Sequence, residues 1–243
     1  MQLGLQEKHV VVTGGSSGIG AEIVLTFAQE GARVWFCGRS QHKIDASIAS
    51  LGALSKQVIG TSVDVTDASA FQSWIDSIPS IDVFVPNVSA LSNDWSDMIA
   101  HDIMATQQAI ESVLPKLLQS SCGALTYIGS KASGSTIAKG KAYGAAKAAM
   151  AHYMKSLSLT HAPILRVNTV SPGDTYIENG HWGKIKREHP DFFNQVLDNN
   201  PMGRFANPDE VANVVVFVSS PAASFVSGSN WYVDGASSEQ VQY

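Results

Sequence analysis

Cysteine is nearly absent: of 243 residues, only Cys37 and Cys122 carry a thiol. A disulfide framework is thereby excluded, and neither cysteine stands at a metal-ligand spacing. His181 and His189 lack companions that would complete a ligand set, so no metal is expected. Basic charge is not in excess either. A net charge of -5, with no local stripe of Lys and Arg, excludes the electrostatic footprint of a nucleic-acid partner. No uninterrupted apolar run approaches the ~20 residues that cross a bilayer, so no membrane partner is expected. The opening MQLGLQEKHVVVTGG has no basic segment leading into an apolar one, as a secretory signal would. A cytoplasmic, reducing compartment is the resulting expectation. Linkers rich in Pro, Gly and Ser are missing, as are charge blocks, so one domain over 1–243 is expected.

What the chain does have is alternation. Runs rich in β-branched and aromatic residues fall at 9–14, 32–37, 56–63, 81–85, 123–129, 165–171 and 230–235. Between them lie segments with helical spacing of apolar residues, at 19–30, 41–52, 67–77, 95–119, 141–162 and 208–219. Strands alternating with helices make βαβ units on a mostly parallel sheet. The expected fold is therefore α/β, a doubly wound seven-stranded sheet with helices on both faces. One stretch breaks the rhythm. Residues 172–207, rich in Gly, His, Trp and other aromatics, interrupt the last βα step, and a substrate lid is expected within 174–207.

The first βα turn reads VVVTGGSSGIGAEIVLTF. Gly14, Gly18 and Gly20 follow a strand and open a helix whose apolar face includes Ile19, Ile23 and Phe27. Glycines there permit a tight turn and close backbone approach, leaving the helix N-terminus to hold a pyrophosphate. Strand, glycine turn, helix and second strand together read as a Rossmann-type dinucleotide site. The second strand ends in Gly38 and Arg39, without the Asp or Glu that holds the ribose hydroxyls of NAD. A guanidinium suits a 2′-phosphate, so NADP(H) is expected ahead of NAD(H). Asp64, followed by Val65, closes the third strand as a candidate for the adenine amino group, and Asp67 reads as a helix N-cap. The fourth strand is cut off abruptly by Pro86 and Asn87. Beside the crevice where strand order reverses, that stop reads as the rim of the cofactor site.

Farther on, the chain reads SKASGSTIAKGKAYGAAK at 130–147. Tyr143 and Lys147, four apart on a helix, share one face. A lysine ammonium beside a phenol favours the phenolate, as a general acid/base requires. Ser130 stands thirteen residues before Tyr143, at the end of a strand, where its hydroxyl can bond a substrate oxygen. In combination, TGGSSGIG, Ser130, YGAAK and NTVSPG at 168–173 resemble the short-chain dehydrogenase/reductase family. The resemblance runs over essentially the whole chain, to the closing WYVDGASS. It implies hydride transfer between NAD(P) and a carbonyl/alcohol pair of a small-molecule substrate, in a homotetramer or dimer. It further implies Tyr143 as acid/base, Ser130 as the carbonyl-polarising residue, and Lys147 as the residue that tunes Tyr143 and binds the nicotinamide ribose. Ser16, Ser17 and Ile19 would join the glycines at the phosphates, and Asn87, Val88 and Ser89 would lie along the ribose. Pro172 and Gly173 would floor the nicotinamide.

The chain departs from the family pattern in several places. Where the family usually has Asn-Asn-Ala-Gly, this sequence has Pro86-Asn87-Val88-Ser89. Counting thirteen back from Pro115 puts Asp102 where the family usually carries a fourth catalytic member, an asparagine. An ionised Asp accepts hydrogen bonds and cannot donate them; it could pair with Lys147 directly or through water. The alternative is a drifted position that satisfies only local backbone. A threonine common five residues after the nicotinamide-turn proline is Ile177 here, and Thr175 is expected to serve instead. Tyr176, His181 and Trp182 are candidates to line the substrate cleft, though lid aromatics more often pack the lid itself. Lys131, Lys139 and Lys141 could draw an anionic substrate, but loop lysines read first as a solvated face. The expected activity is that of an NADP-dependent carbonyl reductase or alcohol dehydrogenase on a small or medium-sized organic substrate. Two alternatives stand: a nucleotide-binding regulatory protein that has lost turnover, and a lyase or dehalogenase using the Ser-Tyr pair without a dinucleotide.

Overall fold

Val10, Val11 and Val12 are all fully buried, and an unbroken apolar run of that kind belongs to a strand covered on both faces. In the computed structural model, which describes residues 1–136 and 140–241, this run is β1 (His9–Thr13). It joins β2 (Arg33–Gly38), β3 (Val58–Ser62), β4 (Val83–Val85), β5 (Ala124–Ile128), β6 (Arg166–Pro172) and β7 (Asn230–Val233). All pairings are parallel, in the order β3-β2-β1-β4-β5-β6-β7. The direction of winding reverses between β1 and β4, which opens a crevice at the carboxyl ends of the strands.

Side chains alternate along a strand, so one run feeds two cores. Val10 and Val12 pack with Ile23 and Phe27 of α1 (Gly18–Gln29), Ile44 of α2 (Gln41–Ser50), and Val211 and Val215 of α9 (Pro208–Ser219). Val11 turns the other way. It packs with Phe71 and Trp74 of α3 (Ala68–Ser77), Ile110 and Val113 of α5 (Thr106–Leu117), and Met150 and Met154 of α6 (Lys141–His161). Each fully buried side chain of this kind contributes roughly 1.5–3 kcal/mol over leaving it in water. Helix starts follow local chemistry. Asp67 Oδ1 accepts from the N–H groups of Ser69 (3.1 Å) and Ala70 (3.0 Å), so it caps α3 as its position suggests.

Two local features go beyond the sequence pattern. The helix expected over 95–119 is a short α4 (Trp95–Asp97), a π-helical stretch (Met98–Ala105) and α5, following one another without a gap. Asp102 sits in the π-helical part. After β6 the chain leaves the sheet for α7 (His181–Glu188) and α8 (Pro190–Asp198) before returning to α9. The base of this excursion is stitched by a bridge between Thr175 and Ala206, with Tyr176 N donating to Ala206 O (2.9 Å) and Ala206 N to Asp174 O (2.9 Å). Among the described residues, no helix is long and apolar enough to cross a membrane.

Candidate active site

The turn after β1 is built for close approach. Gly14 and Gly18 adopt φ of +69° and +58°, a region L side chains rarely enter. A side chain on Gly20 would collide with the carbonyl of Gly14 and come within 2.6 Å of Asn87 Nδ2. Asn87 explains the abrupt end of β4. Its amide donates to Thr13 O (3.0 Å) and its backbone N–H to Thr13 Oγ1 (3.0 Å), which bolts the 86–90 loop to the glycine turn. Val88 N lies 3.4 Å from the same hydroxyl, and Ser89 Oγ accepts from Leu91 N within the loop. Ser17 is the extended N-cap of α1 but makes no side-chain cap bond; the N–H groups of Ile19 and Gly20, ahead of the Ala21 N–H that donates to Ser17 O, are left for an anion. Ser16 Oγ lies beside Gly38, where an added Cβ would meet it at 2.8 Å.

Arg39 is exposed at the end of β2, and Asp64 lies beyond the end of the adjacent strand β3. Asp64 Oδ1 accepts from the backbone and hydroxyl of Thr66 (2.9 and 2.8 Å). The Thr66 backbone N–H is the main cause that holds the Asp64 carboxyl below the usual range. Burial opposes it, and the Thr66 hydroxyl, Arg39 and His101 assist. Val65, next in sequence, is buried.

At the other end of the crevice, Ser130 follows β5 and is 7% exposed. Its Oγ accepts from Ala132 N (3.1 Å), so its own proton is available to a substrate oxygen. Tyr143, half-buried, and Lys147 lie one turn apart on α6, with Lys147 Nζ 5.8 Å from the Tyr143 ring centroid. Lys147 is 2% exposed and Asp102 fully buried; Nζ lies 3.2 Å from Asp102 Oδ1 and donates to Ile128 O (3.2 Å). The approach to Oδ1 has ion-pair distance without hydrogen-bond alignment, so this contact is Coulombic in character. Asp102 Oδ2 accepts from Ala90 N (2.9 Å). One carboxylate thus ties the lysine to the loop at the rim of the crevice. Burial works against the ammonium, but Tyr127, Tyr143 and Asp102 outweigh it, and Lys147 is pushed above the ordinary lysine value. Asp102 supplies the formal negative charge among the three.

Pro172 ends β6, and Gly173 N donates to Val233 O (2.9 Å) in a turn pressed against Asp234. Thr175 is buried with its hydroxyl turned back onto Gly173 O (3.2 Å). Ile177 reaches over the glycine turn, its Cδ1 lying 3.0 Å from where a Cβ on Gly18 would stand. The aromatics of the excursion between β6 and α9 are largely engaged with one another. Trp182 packs on Phe205 (ring centroids 4.8 Å), Phe193 (6.2 Å) and Phe192 (6.3 Å). Tyr176 meets Phe193 (6.1 Å) and donates to Glu178 (2.5 Å), and exposed His181 lies against Trp182 (5.5 Å). Lys131 differs from a solvated lysine: Nζ pairs with Asp174 Oδ2 at 2.5 Å and donates to Ser237 Oγ (3.0 Å). Lys141 is exposed, and Lys139 lies outside the described residues.

A protein-family model described as Enoyl-(Acyl carrier protein) reductase matches residues 14–237. The chain belongs to the short-chain dehydrogenase/reductase family. It is 32% identical over 249 residues to isoepoxydon dehydrogenase patN of Penicillium expansum, covering 96% of this chain and 95% of that protein. It is 30% identical over 247 residues to the D-threitol dehydrogenase of Mycolicibacterium smegmatis, with 95% and 93% covered. The L-sorbose reductase of Gluconobacter frateurii, solved complexed with NADPH and L-sorbose, superposes with a TM-score of 0.90 at 25% identity, covering 99% of this chain and 100% of that one. This short-chain dehydrogenase/reductase is accordingly an oxidoreductase.

The structure adds groups to the site that motif reading passed over. Tyr127, 1% exposed on β5, lies with its ring centroid 5.1 Å from Lys147 Nζ. Ala90 N and Ile128 O hold Asp102 and Lys147 from the backbone. Backbone contacts leave no trace in residue type. Tyr127 did leave one: it is a phenol in the fully buried ALTYI run, three residues before Ser130.

Proposed function

We propose that this protein is an NADP(H)-dependent reductase or dehydrogenase that interconverts a carbonyl and a secondary alcohol on a small or medium-sized organic substrate. The observation that carries the reading is the convergence of Ser130 and of Tyr143 with Lys147 at the carboxyl edge of the sheet, at the crevice lined by the glycine turn. The cradle fits a dinucleotide. Gly20 leaves no room for a side chain, Gly14 and Gly18 hold a positive φ that side chains rarely adopt, and the N-terminus of α1 is left for a pyrophosphate. Ser16, Ser17 and Ile19 would flank that group, Arg39 would take the 2′-phosphate, and Asp64 with Val65 would take the adenine. Asn87, Val88 and Ser89 would line the ribose, and Pro172, Gly173 and Thr175 the nicotinamide.

The bound dinucleotide would supply the hydride. Ser130 donates its hydroxyl proton to the substrate oxygen and polarises the carbonyl. Tyr143 gives that oxygen its proton in reduction and takes it back in oxidation. Lys147 orients the Tyr143 phenol and bonds the ribose, while Asp102 holds Lys147 in place. The segment 174–207 acts as the lid over a single catalytic domain, with Tyr176, His181 and Trp182 shaping its inner side. NADPH-bound structural relatives support the cofactor assignment. A cytoplasmic location and a homodimer or homotetramer complete the reading; exposed Trp95, Ile99 and Met104 on the α4 and π-helical segment offer apolar surface to a second copy.

The test is a titration with NADPH and NADH, followed by a panel of carbonyls and secondary alcohols. NADPH should bind at least ~10-fold more tightly than NADH and support turnover of a carbonyl. Tight NADPH binding without any turnover would turn the reading into a regulatory nucleotide sensor. No binding of either dinucleotide would sink it.

A further inference from the structure

Lys147 is enclosed on several sides by groups from three elements. Asp102 from the π-helical stretch stands 3.2 Å from Nζ, Ile128 O from β5 stands 3.2 Å away, and the Tyr127 and Tyr143 rings lie at 5.1 and 5.8 Å. Asp102, Tyr127 and Tyr143 are the titratable groups facing it among the described residues. An ammonium has three protons to place. Ile128 O takes one, Asp102 draws a second at ion-pair distance, and the third is left for the ribose in the proposed reading, so Tyr127 acts on the charge and not on a proton.

Tyr127 is the unexplained member of this cluster. Its hydroxyl is sealed from water and has no hydrogen-bond partner among the described residues. An unpartnered buried hydroxyl costs stability, so a phenol where a phenyl ring would fill the same space calls for a reason. Its surroundings supply one. Burial pushes the Tyr127 phenol up and the Lys147 ammonium draws it partly back, so the hydroxyl lies within the field of that ammonium.

We propose that Tyr127 is a positioning residue of this site, its buried and unpartnered hydroxyl acting as a dipole that favours the Lys147 ammonium without taking a hydrogen bond from it, beside the Ile128 carbonyl and the Asp102 carboxylate. The proposal rests on the reading of Lys147 as the partner of Tyr143. The Tyr127 hydroxyl dipole favours the charged form of Lys147 and keeps Nζ from tilting toward Asp102. Removing it leaves an ammonium with one stabilising group fewer, which loses its proton at lower pH.

Tyr127→Phe tests this, because it removes one oxygen and keeps the ring. The thermal midpoint should be unchanged or higher, since no formed hydrogen bond is lost. At neutral pH kcat should fall about fivefold or more, with KM for the carbonyl changed less than about twofold. The alkaline limbs of kcat and of NADPH affinity should both move about half a pH unit or more to lower pH. Combined with Asp102→Asn, the loss should be smaller than the product of the single losses, because both changes act on one ammonium. Parental kcat with unmoved alkaline limbs would overturn the proposal. So would a lowered thermal midpoint for Tyr127→Phe, which would mark the hydroxyl as a structural bond. If the unsubstituted protein binds NADPH but turns over no carbonyl, the reductase reading fails, and the pH dependence of NADPH affinity still decides the role of Tyr127.

Discussion

The buried pair Asp102–Lys147 makes a quantitative prediction. At 3.2 Å, and with an effective dielectric of about 20, opposite unit charges attract by ~5 kcal/mol. Much of that attraction is offset by the cost of drying both groups, so the pair itself adds little over an apolar pair of the same volume. Removing only one partner is another matter. Asp102→Ala leaves Lys147 buried without its counterion and Ala90 N without an acceptor, and such losses run to roughly 3–5 kcal/mol. For a chain of 243 residues, unfolding entropy converts each kcal/mol into about 2 °C. Asp102→Ala should therefore lower the melting temperature by about 6–10 °C near pH 7. Asp102→Asn keeps an acceptor for Ala90 N and should lose less than half as much. The sign with pH follows from Lys147, which is held above its ordinary value of 10.5. Its contribution is fully present below that value and fades as pH rises through the higher folded one, so parent and variant should converge only in strong alkali. The same substitution removes the charge that favours the ammonium, so Asp102→Asn should move the alkaline limb of activity to lower pH. Calorimetric scans of parent, Asn and Ala variants read the first effect. An Ala variant melting within ~2 °C of the parent would show that the pair is not the counterion system described.

Other expectations are independent of that pair. Arg39→Ala should weaken NADPH binding about 10- to 100-fold and leave NADH nearly unchanged, read by nucleotide fluorescence; equal losses for both would remove Arg39 from the 2′-phosphate. Burial pushes the Cys37 thiol up to about 12, so at neutral pH it should resist alkylation until the chain unfolds, while half-buried Cys122 labels first; two equally fast thiols would contradict this. Arg166 gathers the carbonyls of Val218, Ala223, Val226, Ser219 and Ser220 at 2.8–3.3 Å. Arg166→Lys cannot reproduce that fork and should lower the melting temperature by roughly 4–6 °C. An unchanged melt would show that water replaces those bonds.

The fold was legible because its strongest signals are periodic. The triple valine of β1, the glycine turn and the Pro208-Asp209-Glu210 start of α9 each announce a local state that tertiary packing then reinforces. The π-helical stretch was not legible. MIAHDIMA has ordinary helical spacing, and the extra residue per turn becomes apparent only where Asp102 lies fully buried between Ala90 N and Lys147. The excursion through α7 and α8 behaved likewise: its aromatics were visible, but that Trp182 packs on Phe205 depends on how two short helices meet.

The site divides along the same line. The roles proposed for the glycines, Arg39, Ser130, Tyr143 and Lys147 are read from residue type at fixed spacing, because phosphate approach and proton transfer admit few substitutes. Asp102 and Tyr127 stand where type alone is ambiguous, since an acid on a helix and an aromatic in a strand have many ordinary uses. What distinguishes them is burial without full satisfaction. Asp102 Oδ1 and the Tyr127 hydroxyl are two of the buried polar side-chain atoms lacking a hydrogen bond among the described residues, and both belong to groups facing the same ammonium. Folding energy alone would replace both with apolar groups. Both stand beside Lys147, and Asp102 also holds the loop that carries Pro86-Asn87-Val88-Ser89. The loop is held from Thr13 by Asn87 and from Asp102 through Ala90, so the carboxylate that faces the lysine also fixes the rim. Asp102 and that loop are therefore a single mechanical unit, and altering either should disturb cofactor binding and proton transfer together.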